Sequence, residues 1–119
     1  MRFMIQVRAT VTSERGEPPG PELKPLFEEM GAFHEEMARA GVLLDGAGLR
    51  PSRQGWRQRY HLDGSREVVD GPFAETKEMV GGYFLLDTED AAVALAWAER
   101  CPAAAWATLE IRGVGPCYT

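Results

Sequence analysis

Residues 22–48 read ELKPLFEEMGAFHEEMARAGVLLDGAG, and the hydrophobic period of the chain changes inside this stretch. Leu23, Leu26, Phe27, Met30, Phe33 and Met37 recur at spacings of three and four, the repeat of a helix with one apolar face. Pro25 suits a first helical turn, where its missing N–H leaves no bond unmade. Gly41 suits the left-handed residue that closes a helix. The spacing predicts a helix over residues 22–40. The apolar run 42–44 then leads into Asp45-Gly46-Ala47-Gly48, a strand with a glycine-rich edge.

On the amino-terminal side the period is two. Phe3, Ile5 and Val7 alternate with Arg2, Met4, Gln6 and Arg8 over residues 1–10, which makes a half-buried strand. Residues 13–21, SERGEPPGP, are too rich in proline, glycine and charge for regular structure. They read as an exposed loop or, alternatively, a lid over a site.

On the carboxyl-terminal side, a turn at 50–55 leads to a strand over 56–62. There Arg57, Arg59 and His61 share one face, and Trp56, Gln58, Tyr60 and Leu62 the other. Asp63-Gly64 signals a hairpin, residues 66–70 form the returning strand, and Gly71-Pro72 breaks it. Residues 82–87 read as a buried strand. Asp87 or Thr88 is expected to cap a second helix running to about Arg100, which the residue before Pro102 ends. A last strand spans 108–112. This order predicts an α+β fold, a ferredoxin-like α/β sandwich with a mostly antiparallel sheet. One sheet face would stay uncovered and expose apolar residues, so a homodimer packed sheet to sheet, a dimeric α+β barrel, is expected.

Composition bounds the rest. The 119 residues are 45% hydrophobic and 26% charged, ordinary for one globular domain, 1–119. A net charge of −5 argues against general affinity for nucleic acid or anionic membrane. No run approaches a membrane span or a signal peptide, so the expected location is cytoplasmic. The two cysteines, Cys101 and Cys117, are expected to be free thiols in a reducing compartment. Two separated histidines at no ligand spacing give no metal site, and no cofactor is expected.

Three features could carry chemistry. Asp70 ends a strand of Val68 and Val69, which would hold its carboxylate at the edge of the core. The rigid Gly71-Pro72 corner follows, with Glu75 and Lys77 shortly after. That arrangement suits acid/base work, or else the aspartate simply holds a turn. His34 lies on or beside the apolar stripe of the first helix, either as a packed core residue or as a pocket base partnered by Asp70 or Glu75. Arg50, Arg53, Arg57, Arg59 and Arg66 make a local basic patch, in which Arg57, Arg59 and His61 would grip a carboxylate or phosphate, or form a solvated hairpin face. Cys101, at a helix C-terminus, is poorly placed for thiolate activation and reads as structural.

The string DGPFAETKE at 70–78, followed by GGYFLLD at 81–87, resembles the DGPF family within the YCII-related superfamily. The resemblance extends back through 30–49 and forward through 96–112. It implies a ferredoxin-like α+β fold, dimerisation into a barrel-like body and a pocket near the interface. It also implies kinship with proteins associated with extracytoplasmic-function sigma factors and with one implicated in removing chloride from a chlorinated aromatic ring. Better-studied YCII-like proteins carry a His/Asp pair proposed as catalytic. By pattern its Asp falls on Cys101 and its His near Met30, so the pair is not present as such. Two readings follow. One is a cofactor-independent, lyase- or isomerase-like acid/base enzyme on a small organic acid or phenolic compound. It would use Asp70, His34 and Glu75 as catalytic groups, with Arg57, Arg59, His61 and Lys77 binding an anionic or aromatic ligand. The other is a non-catalytic metabolite-binding or regulatory module, linked to sigma-factor signalling.

Overall fold

The computed structural model describes residues 1–16, 20–75 and 78–117. Strand β1 (Arg2–Arg8) leads to a short helix α1 (Val11–Arg15), a 3-10 turn (Pro21–Leu23) and helix α2 (Lys24–Arg39). Strand β2 (Leu43–Gly48), a 3-10 turn (Ser52–Gln54) and the hairpin β3 (Trp56–Tyr60) and β4 (Arg66–Asp70) follow. Strand β5 (Val80–Asp87), helix α3 (Ala91–Arg100), a 3-10 turn (Pro102–Ala105) and β6 (Leu109–Gly113) complete the order.

Four strands form one sheet in the order β2-β5-β1-β6, and every neighbouring pair is antiparallel. Two strand–helix–strand halves that interleave in this way are the ferredoxin-like arrangement. The β3–β4 hairpin is a separate two-stranded sheet. Alternation in β1 and β5 turns Phe3, Ile5, Phe84 and Leu86 inward, all buried. Phe33 and Met37 of α2 and Ala98 of α3 close over them, with the Phe33 ring edge-on to Phe84 and Trp97 at 5.9 and 6.1 Å. The thinnest dimension is 18 Å, enough for one helical layer on one sheet layer, so the second sheet face is bare. That face is less apolar than alternation predicts. Met4 and Leu85 share it with Tyr83, whose hydroxyl donates to Asp45 at 3.0 Å, and with an Arg8–Glu110–Arg112 cluster. Arg8, with Arg112 behind it, holds Glu110 below the usual carboxylate range.

Both ends of α2 follow sequence logic. Pro25 lies in its first turn, and Gly41, at φ 75°, closes it. The amides of Gly41 and Val42 bond back to Ala38 and Met37 at 3.1 and 3.2 Å, a pattern that satisfies the last carbonyls. Two expectations are corrected. Residues 13–15 are helical, because Thr10 and Ser13 cap the start of α1 reciprocally: each side chain accepts from the other's backbone N–H, at 3.1 and 2.8 Å. Helix α3 is capped by Asp90, which accepts from Val93 N–H at 3.1 Å. Asp87 instead receives the amino-terminal ammonium of Met1 at 3.1 Å, and Thr88 donates to the Asp90 carbonyl. No described helix is long and apolar enough to cross a membrane.

Cys101 is buried and Cys117 exposed, and both are free. Burial pushes the Cys101 thiol up, so it stays protonated to higher pH than an open thiol. Iodoacetamide at pH 8 should therefore alkylate Cys117 and spare Cys101 until denaturant is added, as read by intact mass. Equal labelling of both thiols in the folded protein would contradict this packing.

Candidate functional site

Helix α2 touches the sheet mainly through its carboxyl-terminal half, where Phe33 and Met37 are buried. Towards its start the helix and the sheet part, leaving a pocket of about 740 Å³. Leu26, Phe27, Met30, Gly31 and His34 of α2 line one wall, and Val7, Gly46, Gly82 and Phe84 line the sheet side. Thr12 and Ser13 of α1 and Gly16 just after it line one end, and Ala103 and Trp106 also contribute. The volume lies within the range of small-molecule sites, and so does a lining of apolar residues with few polar groups.

The pocket exists because small residues stand where a core would put large ones. Glycines at 46, 48 and 82 lie along facing strands. Gly31 sits in the middle of the 16-residue α2, where glycine costs about 0.5–1 kcal/mol relative to alanine. A Cβ there would meet nothing within 4 Å, so packing does not require the glycine. It widens the pocket.

His34 is the one imidazole in the lining, and no carboxylate lines the pocket among the described residues. Its side chain is exposed rather than buried in the apolar stripe, with its ring centroid 6.2 Å from that of Phe84. Phe33, one residue earlier, turns inward instead. The hydroxyls of Thr10 and Ser13 are engaged in the α1 cap. The arrangement can enclose an apolar body of ring size and present to it the His34 imidazole, a group able to give or take a proton. Among the described residues, no cluster of His, Cys, Asp and Glu is placed to hold a metal ion.

The other candidate residues lie away from this pocket. Asp70 ends β4 opposite Trp56 and is exposed, not held at the core edge. The corner after it is held by its neighbours. Gly71 N–H donates to the Gly55 carbonyl at 3.0 Å, and Phe73 N–H donates to Ser52 Oγ at 3.0 Å. Any Cβ on Gly71 would lie 1.7 Å from the Ser52 carbonyl oxygen, so this close approach requires glycine. Ser52 in turn donates its N–H and hydroxyl to the two carboxylate oxygens of Glu14, and Arg53 Nη1 donates to the carbonyls of Glu14 and Arg15 at 3.1 and 2.6 Å. The DGPF corner thus clamps α1, which is one end of the pocket. Arg57 lies over the Phe73 ring at 3.9 Å, Arg59 stands opposite Glu67, and His61 pairs with Glu67 at 3.1 Å. Glu75 is exposed, and its carbonyl accepts from Glu78 N–H. Lys77 falls outside the described residues. Of the named candidates among the described residues, only His34 reaches the pocket.

Against known proteins, the YCII-related domain matches residues 1–117 of this chain, and the chain belongs to that family. It is 37% identical over 62 residues to the uncharacterized protein R00369 of Rhizobium meliloti (strain 1021). That stretch is 52% of this chain and 49% of the relative, so the match spans about half the length of that curated protein. Among solved structures, the fold is similar to 5-chloro-2-hydroxyhydroquinone dehydrochlorinase (TftG) from Burkholderia phenoliruptrix AC1100, in complex with 2,5-dihydroxybenzoquinone. The TM-score is 0.54 at 14% identity, covering 97% of this chain and 94% of that one.

The clamp predicts two contrasting substitutions. Ser52→Ala removes the hydroxyl shared by Phe73 and Glu14 and should cost about 1–3 kcal/mol in urea unfolding. Asp70→Asn should stay within about 0.5 kcal/mol of the parent. A large loss for Asp70→Asn beside a neutral Ser52→Ala would reverse the assignment of what holds the corner.

Proposed function

We propose that this member of the YCII-related domain family is of the DGPF type, named by Asp70-Gly71-Pro72-Phe73, and works as a cytoplasmic homodimer whose pocket takes a small phenolic or quinone-like ligand. The observation that carries the reading is the apolar pocket beside α2, with His34 as its single imidazole. A planar ring of the size bound by the structural neighbour fits comfortably within about 740 Å³. In this reading the glycines and Phe84 receive the ring, and His34 donates a hydrogen bond to a ring hydroxyl or accepts its proton. A reaction needing only proton transfer, such as elimination or isomerisation, requires nothing else from the chain. In this reading Asp70 and Glu75, both exposed and outside the pocket lining, take no part in the chemistry. Arg57, Arg59 and His61 stand on the hairpin, where they steer anionic ligands by charge.

A second reading, a non-catalytic binding module, is favoured by one observation: among the described residues, no carboxylate shares the pocket with His34 to orient or charge it. The two differ in what His34 does after binding.

Titration with 2,5-dihydroxybenzoquinone, catechol and hydroxyquinol, followed by calorimetry, tests both. Saturable binding is expected for the parent, and Gly31→Leu, which fills the pocket, should weaken it at least about tenfold. Gly31→Ala should raise unfolding stability by about 0.5–1 kcal/mol. If the enzyme reading holds, one of these rings or a chlorinated analogue is turned over, and His34→Gln lowers kcat by about 10²-fold or more while binding persists. Binding without turnover leaves the module reading. Binding indifferent to Gly31→Leu removes the pocket from the account.

A further inference from the structure

Polar groups are few in the pocket, so each one constrains the ligand. Among the described residues the lining holds five polar side chains: Thr10, Thr12, Ser13, His34 and Tyr83. Three are already engaged. Thr10 and Ser13 are tied together in the α1 cap, and the Tyr83 hydroxyl donates to Asp45 on the other sheet face. The Thr12 hydroxyl and the His34 imidazole remain, and neither bonds to another described residue.

Strand register sets these two groups apart. His34 packs beside Phe84, which pairs with Ile5. Helix α1 starts beyond Arg8, which pairs with Val80. The three steps from Ile5 to Arg8 span about 10 Å at the rise of a strand. From there α1 crosses the end of the sheet to the 52–53 turn, beyond Gly48 of β2, with β5 lying between its two attachments. Thr12 therefore stands at one end of the pocket and His34 towards the other, with Gly48 and Gly82 between them.

The clamp on α1 fixes Thr12 before any ligand arrives. Thr12 is two residues from Glu14, whose carboxylate Ser52 holds, yet its own hydroxyl belongs neither to the cap nor to the clamp. A polar group that folding does not use, held in place on a pocket wall, is preorganised for binding. A threonine hydroxyl and a neutral imidazole can each give or accept a hydrogen bond, so each matches a ring hydroxyl or a ring carbonyl. Oxygens on adjacent ring carbons face one edge and reach one of these groups. Oxygens across the ring face both.

We infer that Thr12 is the second polar anchor of the pocket, and that the site selects rings oxygenated on opposite edges, 1,4-diols and 1,4-quinones, held between Thr12 and His34. This rests on the phenolic-ligand reading above and specifies the substitution pattern that the pocket takes.

Calorimetric titration with hydroquinone, catechol and phenol, under nitrogen to keep the diols reduced, tests it. Hydroquinone should bind the parent about five- to tenfold more tightly than catechol or phenol, the worth of one added hydrogen bond. Thr12→Val removes the hydroxyl and keeps the branched shape. It should cost hydroquinone about the same factor and leave phenol within about twofold, while Thr12→Ser should restore hydroquinone to within about threefold. Should Thr12→Val disturb α1, seen in urea unfolding, the parent's own preference among the three rings still decides. Hydroquinone held no more tightly than catechol and phenol, or indifferent to Thr12→Val while Gly31→Leu still weakens it, would overturn the two-anchor inference and leave the pocket reading standing. A parent that binds none of the rings removes the pocket reading and this inference with it.

Discussion

The carboxylate of Glu14 accepts both the N–H and the hydroxyl of Ser52, and much of the site depends on this one contact. A five-residue helix has almost no stability of its own. Helix α1 keeps its place because Glu14 and the carbonyls of Glu14 and Arg15 are held by the 52–53 turn. That turn is fixed from the other side by the amide of Phe73 and by the close approach of Gly71. Three segments remote in sequence meet there: the pocket end, the foot of the hairpin and the DGPF corner. A change in any of them is felt at the other two.

The pocket and the core are one layer with two fillings. Where α2 carries Phe33 and Met37, the space between helix and sheet is packed with side chains. One to two turns earlier, facing glycines on the strands and Gly31 on the helix leave it vacant. Interiors are close-packed by default, so a void of this size beside a well-packed core is maintained by the choice of small residues.

Periodicity made most of the fold legible. The alternation of Phe3, Ile5 and Val7 matched their burial, the three–four spacing along α2 held for Phe33 and Met37 but not for Phe27, which is 58% exposed, and Asp63-Gly64 marked the hairpin. What escaped was whatever depends on partners far along the chain. The capping of α1 hid in a segment dominated by proline and glycine. Asp87 looked like a helix cap, yet the amino terminus occupies it. Glu14 and Ser52 are 38 residues apart and form no motif. Asp70 drew attention through its neighbours, but its strand belongs to a projecting hairpin. His34 was readable as a helical residue near the stripe, and only the tertiary splay of α2 puts it on a pocket wall. Gly31 was the overlooked signal, a glycine at the centre of an otherwise regular amphipathic helix.

Gly31 also bears on how such a chain responds to selection. The easiest gain in robustness on α2 is to replace that glycine with a residue that favours the helix, and any screen for heat resistance or expression yield would find it. Larger replacements there improve the helix while occupying the space a ligand needs. Survival at high temperature and retention of function therefore pull on one position in opposite directions, and stabilised lineages of this fold would be expected to lose binding before they lose shape.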